Sequence, residues 1–175
     1  LHTLEYDKII KMLEALALSP LGKEYCHNLL PQSDREWIEA AQRETSDALT
    51  HILTQGEISF SGISDIRGSL KRLEIGSVLG TGELLAISSL LNTAGRVKAF
   101  FRQSLNGSDE TGDSLNERYQ LIEPLSMLMQ EIRRCILAED EIADDASPGL
   151  AQARRKLKAA SDKIHEQLGS ILHGS

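Results

Sequence analysis

The chain has 175 residues, of which 41% are apolar and 26% are charged, and its formal net charge is −7 at pH 7. This composition excludes a disordered chain, and the length predicts one domain, or one domain with an extension. The acidic balance argues against a protein that grips nucleic acid with its whole surface, so any such contact needs a local basic patch. Aromatic residues make up only 4%. Leu, Ile and Ala must therefore build the core, which favours helices over sheets.

The cysteines and the hydropathy pattern predict the compartment. Cys26 and Cys135 lie far apart, and no Cys or His stands at metal-ligand spacing. This usage is typical of buried thiols in a reducing cytoplasm. The longest apolar stretch, LLAISSLL, is too short to span a bilayer, and no signal peptide is visible, so we expect no membrane partner. The chain begins with Leu1 and not with Met, which indicates a sequence cut at both ends.

Three helices are predicted in the first third of the chain. Apolar residues in LEYDKIIKMLEALAL recur with a helical period. Ser19 is then an N-cap for a second helix from about Pro20 to Leu29. Ser33 and Glu36 have the spacing of a capping box for a third helix of roughly 20 residues, which ends at Gly56. The expected inward face of this third helix comprises Trp37, Ala41, Ala48, Leu49, Ile52 and Leu53.

The middle of the chain predicts a connection and four more helical segments. EISFSGIS is β-branched and Gly-containing, which favours an extended connection. A short helix over about Asp65 to Glu74 and a long helix capped near Thr81 follow. SLNGSDETGDS is typical of a surface loop that tolerates insertions. NERYQLIEPLSMLMQEIRRCILAE predicts two helical segments that are broken or kinked at Pro124, and a short acidic turn, EDEIADDAS, comes next.

The last helix begins at the N-cap Ser147, with Pro148 in its first turn. Its apolar residues fall close to a heptad line, and a heptad seam needs a partner helix. The first half of the seam is expected to rest on the core, the second half to meet a partner, and an unpaired seam to self-associate. We interpret this seam as a candidate interaction surface, and its residues are Leu150, Ala153, Leu157, Ile164, Leu168 and Ile171.

Together these elements predict an all-α fold. The expected architecture is an irregular helical bundle over residues 1–146, with at most one short hairpin. Residues 147–175 form the start of a long helix that leaves the bundle.

Motifs for catalysis are not apparent. Gly22-Lys23 lacks the remainder of a phosphate-binding loop, GTGELL is a bare Gly-x-Gly, and the five histidines are scattered. The acidic run from Glu139 to Asp145 is more typical of a solvated turn than of a cation site. Basic residues form modest clusters, which are Lys71-Arg72, Arg96-Lys98-Arg102, Arg133-Arg134 and Arg154-Arg155-Lys156-Lys158. In the last of these clusters, Arg155 and Lys158 share one face of the helix. These two are candidate phosphate contacts, although a solvated face is the commoner explanation. We expect no catalytic, cofactor-binding or metal-binding residue in this chain.

Three motifs nevertheless carry a resemblance. TLEYDKIIKMLEALALSPLGKE, FSGISDIRGSLKRLEIGSVLGTGELLAI and DDASPGLAQARRKLKAASDKI resemble, in the same order, the N-terminal region of the bacterial MutS paralogues of the second type. The likeness spans almost all of the chain. Two departures are Asp140, where the family commonly has Gly, and Gly149, where it often has an acidic residue. Neither removes a chemical group.

This resemblance implies a function for a longer protein. It implies a helical core or lever, a clamp at the tips of two long helices, an ATPase that uses ATP and Mg, and usually an Smr nuclease domain. Such proteins are homodimers that bind DNA and associate with ribosomes and their rRNA. They are linked to suppression of homologous recombination and to the splitting of collided ribosomes. The present chain would be the non-catalytic core that connects the clamp to the ATPase, and its nearest partner would be the rest of its own chain.

Two other functions stay open. A self-contained helical adaptor could bind a partner protein through the same seam. A small nucleic-acid-binding domain is the third possibility, and the net charge of −7 disfavours it.

Overall fold

The computed structural model describes residues 5–60, 62–105 and 113–173, without the side chains of residues 103–105 and 173. Eight helices and one two-stranded hairpin are found in these ranges, which confirms the expected all-α fold. The helices are α1 (Tyr6–Leu16), α2 (Pro20–His27), α3 (Arg35–Gln55), α4 (Arg67–Glu74), α5 (Thr81–Leu105), α6 (Asn116–Gln120), α7 (Ser126–Cys135) and α8 (Pro148–His173). The strands are β1 (Ile136–Ala138) and β2 (Glu141–Ile142), which pair antiparallel.

The core is built around α5, a helix of 25 residues. Ile87 of α5 is buried against Ile132 of α7 and Ile136 of β1. Further along α5, Phe101 is 3% exposed and stacks on Tyr119, with ring centroids 4.1 Å apart. The aliphatic cluster and the aromatic pair therefore hold α6, α7 and the hairpin against one helix.

Buried polar contacts join α3 to the segment that precedes α6. His51 Nε2 lies 2.7 Å from Asp113 Oδ2, and the His51 ring meets the edges of Phe101 and Tyr119. Asp47 accepts hydrogen bonds from the amide and the hydroxyl of Ser114 at 3.0 and 2.5 Å. These bonds hold the pKa of Asp47 below its usual range.

Several sequence predictions are confirmed at the helix ends. Ser19 caps α2 by accepting from the Gly22 amide at 3.0 Å, and Pro20 is its first residue. Gly56 ends α3 with a φ of 90°, a conformation that glycine adopts without strain. A break at Pro124 separates α6 from α7. The insertion-tolerant loop was predicted over residues that mostly lie outside the described ones.

Two predictions at α3 are wrong. The cap is Asp34, whose carboxylate accepts from the amides of Glu36 and Trp37, and not Ser33. The predicted inward face is also wrong, because its four largest side chains are 44% to 77% exposed. The buried residue of α3 is His51. The four exposed side chains are Trp37, Leu49, Ile52 and Leu53.

The helix boundaries differ elsewhere as well. Residues 136–138 form β1, although ILAE was predicted to continue α7 as helix. The amide of Ala143 donates to the Cys135 carbonyl at 2.9 Å, which turns the chain back over the end of α7. The single hairpin was allowed for, but its position was not predicted. No helix among the described residues is long and apolar enough to cross a membrane.

Replacing Phe101 by Ala tests the aromatic part of the core. Removing a fully buried ring leaves a cavity beside Tyr119, so we expect the free energy of unfolding to fall by about 3 kcal/mol or more. Urea unfolding measures this change. Phe60→Ala is the matched control, because Phe60 is 42% exposed, and it should cost less than about 1 kcal/mol. Equal losses in both variants would contradict the assigned core.

The acid sensitivity of the fold should depend on Arg67. Its guanidinium bonds Asp65 and Glu24, joining α2 to α4. The side-chain bond from Arg67 lowers the pKa of Asp65 from 3.8 to about 2, and the same partner lowers the pKa of Glu24 from 4.5. Both carboxyls bind fewer protons in the folded state, so their stabilisation is present above about pH 4.5 and is lost as pH falls toward 2.

We therefore expect Arg67→Met to lose less stability than the wild type between about pH 6 and pH 3. The measurement is urea unfolding at both pH values. Arg155→Met should behave as the wild type, because Arg155 forms no ion pair within the described ranges. If Arg67→Met loses as much stability between these two pH values as the wild type does, these ion pairs do not stabilise the fold.

Candidate interaction surface on the last helix

The base of α8 is held by Arg134, at the end of α7. Its Nη1 donates to the Asp145 carbonyl at 3.1 Å and its Nη2 to the Ala146 carbonyl at 3.3 Å. The same guanidinium is oriented by Glu131, with Nε–Oε2 and Nη2–Oε1 distances of 3.0 and 2.6 Å. The guanidinium of Arg134 thus bonds Glu131 on α7 and both Asp145 and Ala146 in the turn before α8.

Electrostatics strengthen this contact. The side-chain hydrogen bonds between Glu131 and Arg134 lower the pKa of Glu131 and raise the pKa of Arg134. Both groups therefore stay charged at neutral pH. Arg134 Nη2 also lies 3.2 Å from the Cys135 sulfur, whose own contacts include the Ala146 carbonyl at 3.6 Å. The chain just before α8 is accordingly tied to α7 at consecutive carbonyl groups.

The first turn of α8 forms as predicted. Ser147 Oγ accepts from the Leu150 amide at 3.2 Å, which satisfies one of the amides that a helix start leaves free. Arg154, one turn further on, pairs with Asp144 in the preceding turn. Leu150 and Ala151 are half-buried, so the apolar contact of α8 with the bundle is limited to this first turn.

Beyond the first turn the seam is open. Ala153 is exposed and Leu157 is 74% exposed. The expectation that these two rest on the core is therefore wrong, because both lie beyond the half-buried first turn that contains Leu150 and Ala151. The remaining large aliphatic side chains of the helix, Ile164, Leu168, Ile171 and Leu172, are 56%, 51%, 75% and 78% exposed.

This exposure has an energetic consequence. Covering one such aliphatic side chain is worth about 1.5–3 kcal/mol. A helix of 26 residues extends about 39 Å at 1.5 Å per residue, so the seam presents a long and narrow apolar stripe. The surface is shaped for a second helix lying alongside, and its role as an interaction surface stays a prediction.

The candidate phosphate contacts are also accessible. Arg155 and Lys158 are exposed on α8 and take part in no ion pair within the described part of the chain. Phosphate binding at these two positions remains a prediction.

Most other charged groups of the sequence clusters have structural roles. Arg72 bonds Glu83 at 2.8 Å, and Arg133 donates to the buried Ser88 hydroxyl at 3.2 Å. Arg96 donates to the Ser59 carbonyl at 3.1 Å. Among the described residues, no group of three or more His, Cys, Asp or Glu side chains could hold a metal ion. The chemistry that this surface supports is apolar and ionic docking.

Sequence reasoning missed one contributor to the site and one buried pair of the core. Arg133-Arg134 was interpreted only as a basic pair, whereas Arg134 anchors α8. The i,i+3 spacing of Glu131 and Arg134 on a helix was the available signal. The buried His51–Asp113 pair gave no local signal, because its members lie 62 residues apart.

Comparison with known proteins identifies the family. Endonuclease MutS2 of Lachnoclostridium phytofermentans is 56% identical over 178 aligned residues, which cover the whole of this chain. The Agathobacter rectalis and Ruminiclostridium cellulolyticum proteins of the same name are 45% and 40% identical over 99% of the chain. The chain belongs to the MutS2 family. No family model matches it.

The extent of the match limits what it shows. The chain spans 22% of the length of each of these three MutS2 relatives. The family likeness confirms the resemblance carried by the three sequence motifs. The relatives are named endonucleases, and the segment that they share with this chain is the helical bundle with α8.

The N-cap of α8 offers a test of how the surface is presented. We expect Ser147→Ala to lower the far-ultraviolet ellipticity at 222 nm, because losing a cap costs about 1 kcal/mol and little tertiary contact compensates along α8. Ser161→Ala, in the middle of the same exposed helix, should leave the ellipticity unchanged or raise it slightly. Loss of signal in both variants, or in neither, would contradict the capping role of Ser147.

Proposed function

We propose that this chain is the non-catalytic helical core of a MutS2 protein, and that α8 connects a clamp to an ATPase. The observation that supports this proposal is the contrast along α8. The turn that precedes α8 is bonded to α7 through Arg134, and Ser147 caps the first turn of the helix. The apolar seam is exposed from Leu157 onward. A helix that is fixed at one end can transmit a rigid-body movement of the bundle to whatever pairs with its seam.

In the proposed longer protein, the returning helix of the clamp covers the seam. That protein binds ATP and Mg, acts on DNA as an endonuclease, and works as a homodimer in the cytoplasm. It suppresses homologous recombination, and it splits collided ribosomes through contacts with their rRNA. Arg155 and Lys158 are its proposed phosphate contacts on α8. We assign no catalytic step to the present chain.

The coupling role can be tested in the full-length protein. Leu157→Asp with Ile164→Asp places charges on the seam without touching the bundle. We expect basal ATP hydrolysis to stay within about two-fold of the wild type, and stimulation by branched DNA to fall by about ten-fold or more, because closing the clamp would bury these charges at a cost of several kcal/mol. Steady-state hydrolysis with and without DNA measures both quantities.

A matched variant separates the seam from general surface effects. Gln152→Asp with Ala159→Asp adds two acidic groups at exposed positions on the face of α8 opposite the seam, and it should retain most of the stimulation. Unchanged stimulation in Leu157→Asp with Ile164→Asp would contradict the coupling role. A parent reading frame that lacks a returning helix and a Walker A motif would favour the self-contained adaptor instead.

A further inference from the structure

Charge is distributed unevenly between α8 and the rest of the chain. Five basic and two acidic residues give α8 a net charge of +3, whereas the remaining residues contain 14 basic and 24 acidic ones, a net charge of −10. The cationic groups are concentrated in residues 154–163, where Asp162 is the single acidic residue. An exposed apolar stripe thus lies within a locally basic surface on an acidic protein.

The basic residues border the stripe. Lys156 and Lys163 each directly precede a seam residue, Leu157 and Ile164, and they lie seven residues apart, so they line the same edge of the seam. Both are exposed, and neither forms an ion pair within the described residues. On the other edge, Arg154 already pairs with Asp144. One edge of the stripe therefore offers unpaired positive charge along two turns of helix.

We propose that the α8 seam docks an amphipathic helix whose edges carry Asp or Glu. Interdigitation of aliphatic side chains would bury the stripe, and acidic edge residues would face Lys156 and Lys163 in the manner of edge charges in coiled coils. This inference deepens the proposed function and rests on it for the occupant being a helix. It adds the chemistry of the edges, which selects the partner and its register.

Two other occupants fit the surface less well. A second copy of α8 has the same net charge of +3, so pairing two seams brings like charges together. The phosphates of a nucleic acid would pair with the lysine ammonium groups, but they would leave the exposed aliphatic side chains of the seam uncovered. An acidic amphipathic helix accounts for the apolar stripe and for its basic edge at once.

Two synthetic peptides of about 22 residues test the inference on the 175-residue chain. They share one Leu/Ile stripe and differ only in having Glu or Lys at every edge position. Fluorescence anisotropy of the labelled peptides gives their dissociation constants. At about 50 mM salt we expect the Glu peptide to bind about ten-fold more tightly than the Lys peptide, and added salt to narrow the difference.

Variants assign the preference to the basic edge. Lys156→Glu with Lys163→Glu should reverse the preference between the peptides. Lys11→Glu with Lys23→Glu changes the net charge equally at exposed sites outside α8, and it should retain the preference. Leu157→Asp with Ile164→Asp should abolish binding of both peptides. Ellipticity at 222 nm verifies that each variant is folded.

Several results would overturn the proposal. Equal dissociation constants for the two peptides would show that the edges do not select the partner. The same would follow if the Lys11 and Lys23 changes altered the preference between the peptides as much as the Lys156 and Lys163 changes. Either result would leave the proposed coupling role intact. A failure of both peptides to bind would remove the docking site itself. Tighter binding of a random DNA duplex, lost with the Lys156 and Lys163 changes but kept with Leu157→Asp and Ile164→Asp, would assign the Lys156 and Lys163 edge to phosphate instead of an acidic helix.

Discussion

The position of α8 depends on the guanidinium of Arg134. One side chain binds Glu131 on its own helix and the carbonyl groups of Asp145 and Ala146 immediately before α8. A planar group with several donors suits this task, because it can bond a carboxylate and two carbonyls at fixed angles. The direction in which the last helix leaves the bundle is therefore set by α7, whose buried Ile132 belongs to the core.

The proposed role of α8 depends on an N-terminal end that is bonded to the bundle and a remainder that is exposed to solvent. The bundle packs α7 and the hairpin against α5 through Ile87, Ile132 and Ile136. Displacement of the core would accordingly carry the first turn of α8 with it. Since the remainder of the helix has no tertiary cover among the described residues, its free energy is lowered only when a second helix lies along the seam. The MutS2 kinship is consistent with a segment that completes its packing within a longer protein.

Local sequence signals predicted much of this structure. Ser19, Gly56 and Ser147 act through hydrogen bonds and backbone conformations within a few residues, and each was recognisable from its neighbours. The exposed seam was found for the same reason, since helical periodicity lies within one segment. The family kinship was likewise carried by contiguous motifs. These features need no knowledge of the tertiary fold.

Features that depend on distant partners were not predicted. The buried side of α3 is determined by contacts of His51 with Phe101 and Asp113, which lie 50 or more residues further along the chain. The prediction was based on the apolar residues of α3 alone and therefore selected the wrong face. The hairpin arises because the Ala143 amide reaches back to Cys135, which apolar periodicity cannot reveal. Arg134 was noted only as part of a basic cluster for the same reason, because its carbonyl partners lie 11 and 12 residues away.

Hydrogen exchange along α8 measures the central claim most directly. On the wild-type chain at low micromolar concentration, amides at Leu150 and Ala151 should be protected as well as those of α7. Amides from Leu157 to Leu172 should exchange about 100-fold faster or more, because an isolated helix is only marginally stable in water. Uniform strong protection over the whole of α8 would contradict the account, since it would mean that the seam is already covered by the bundle.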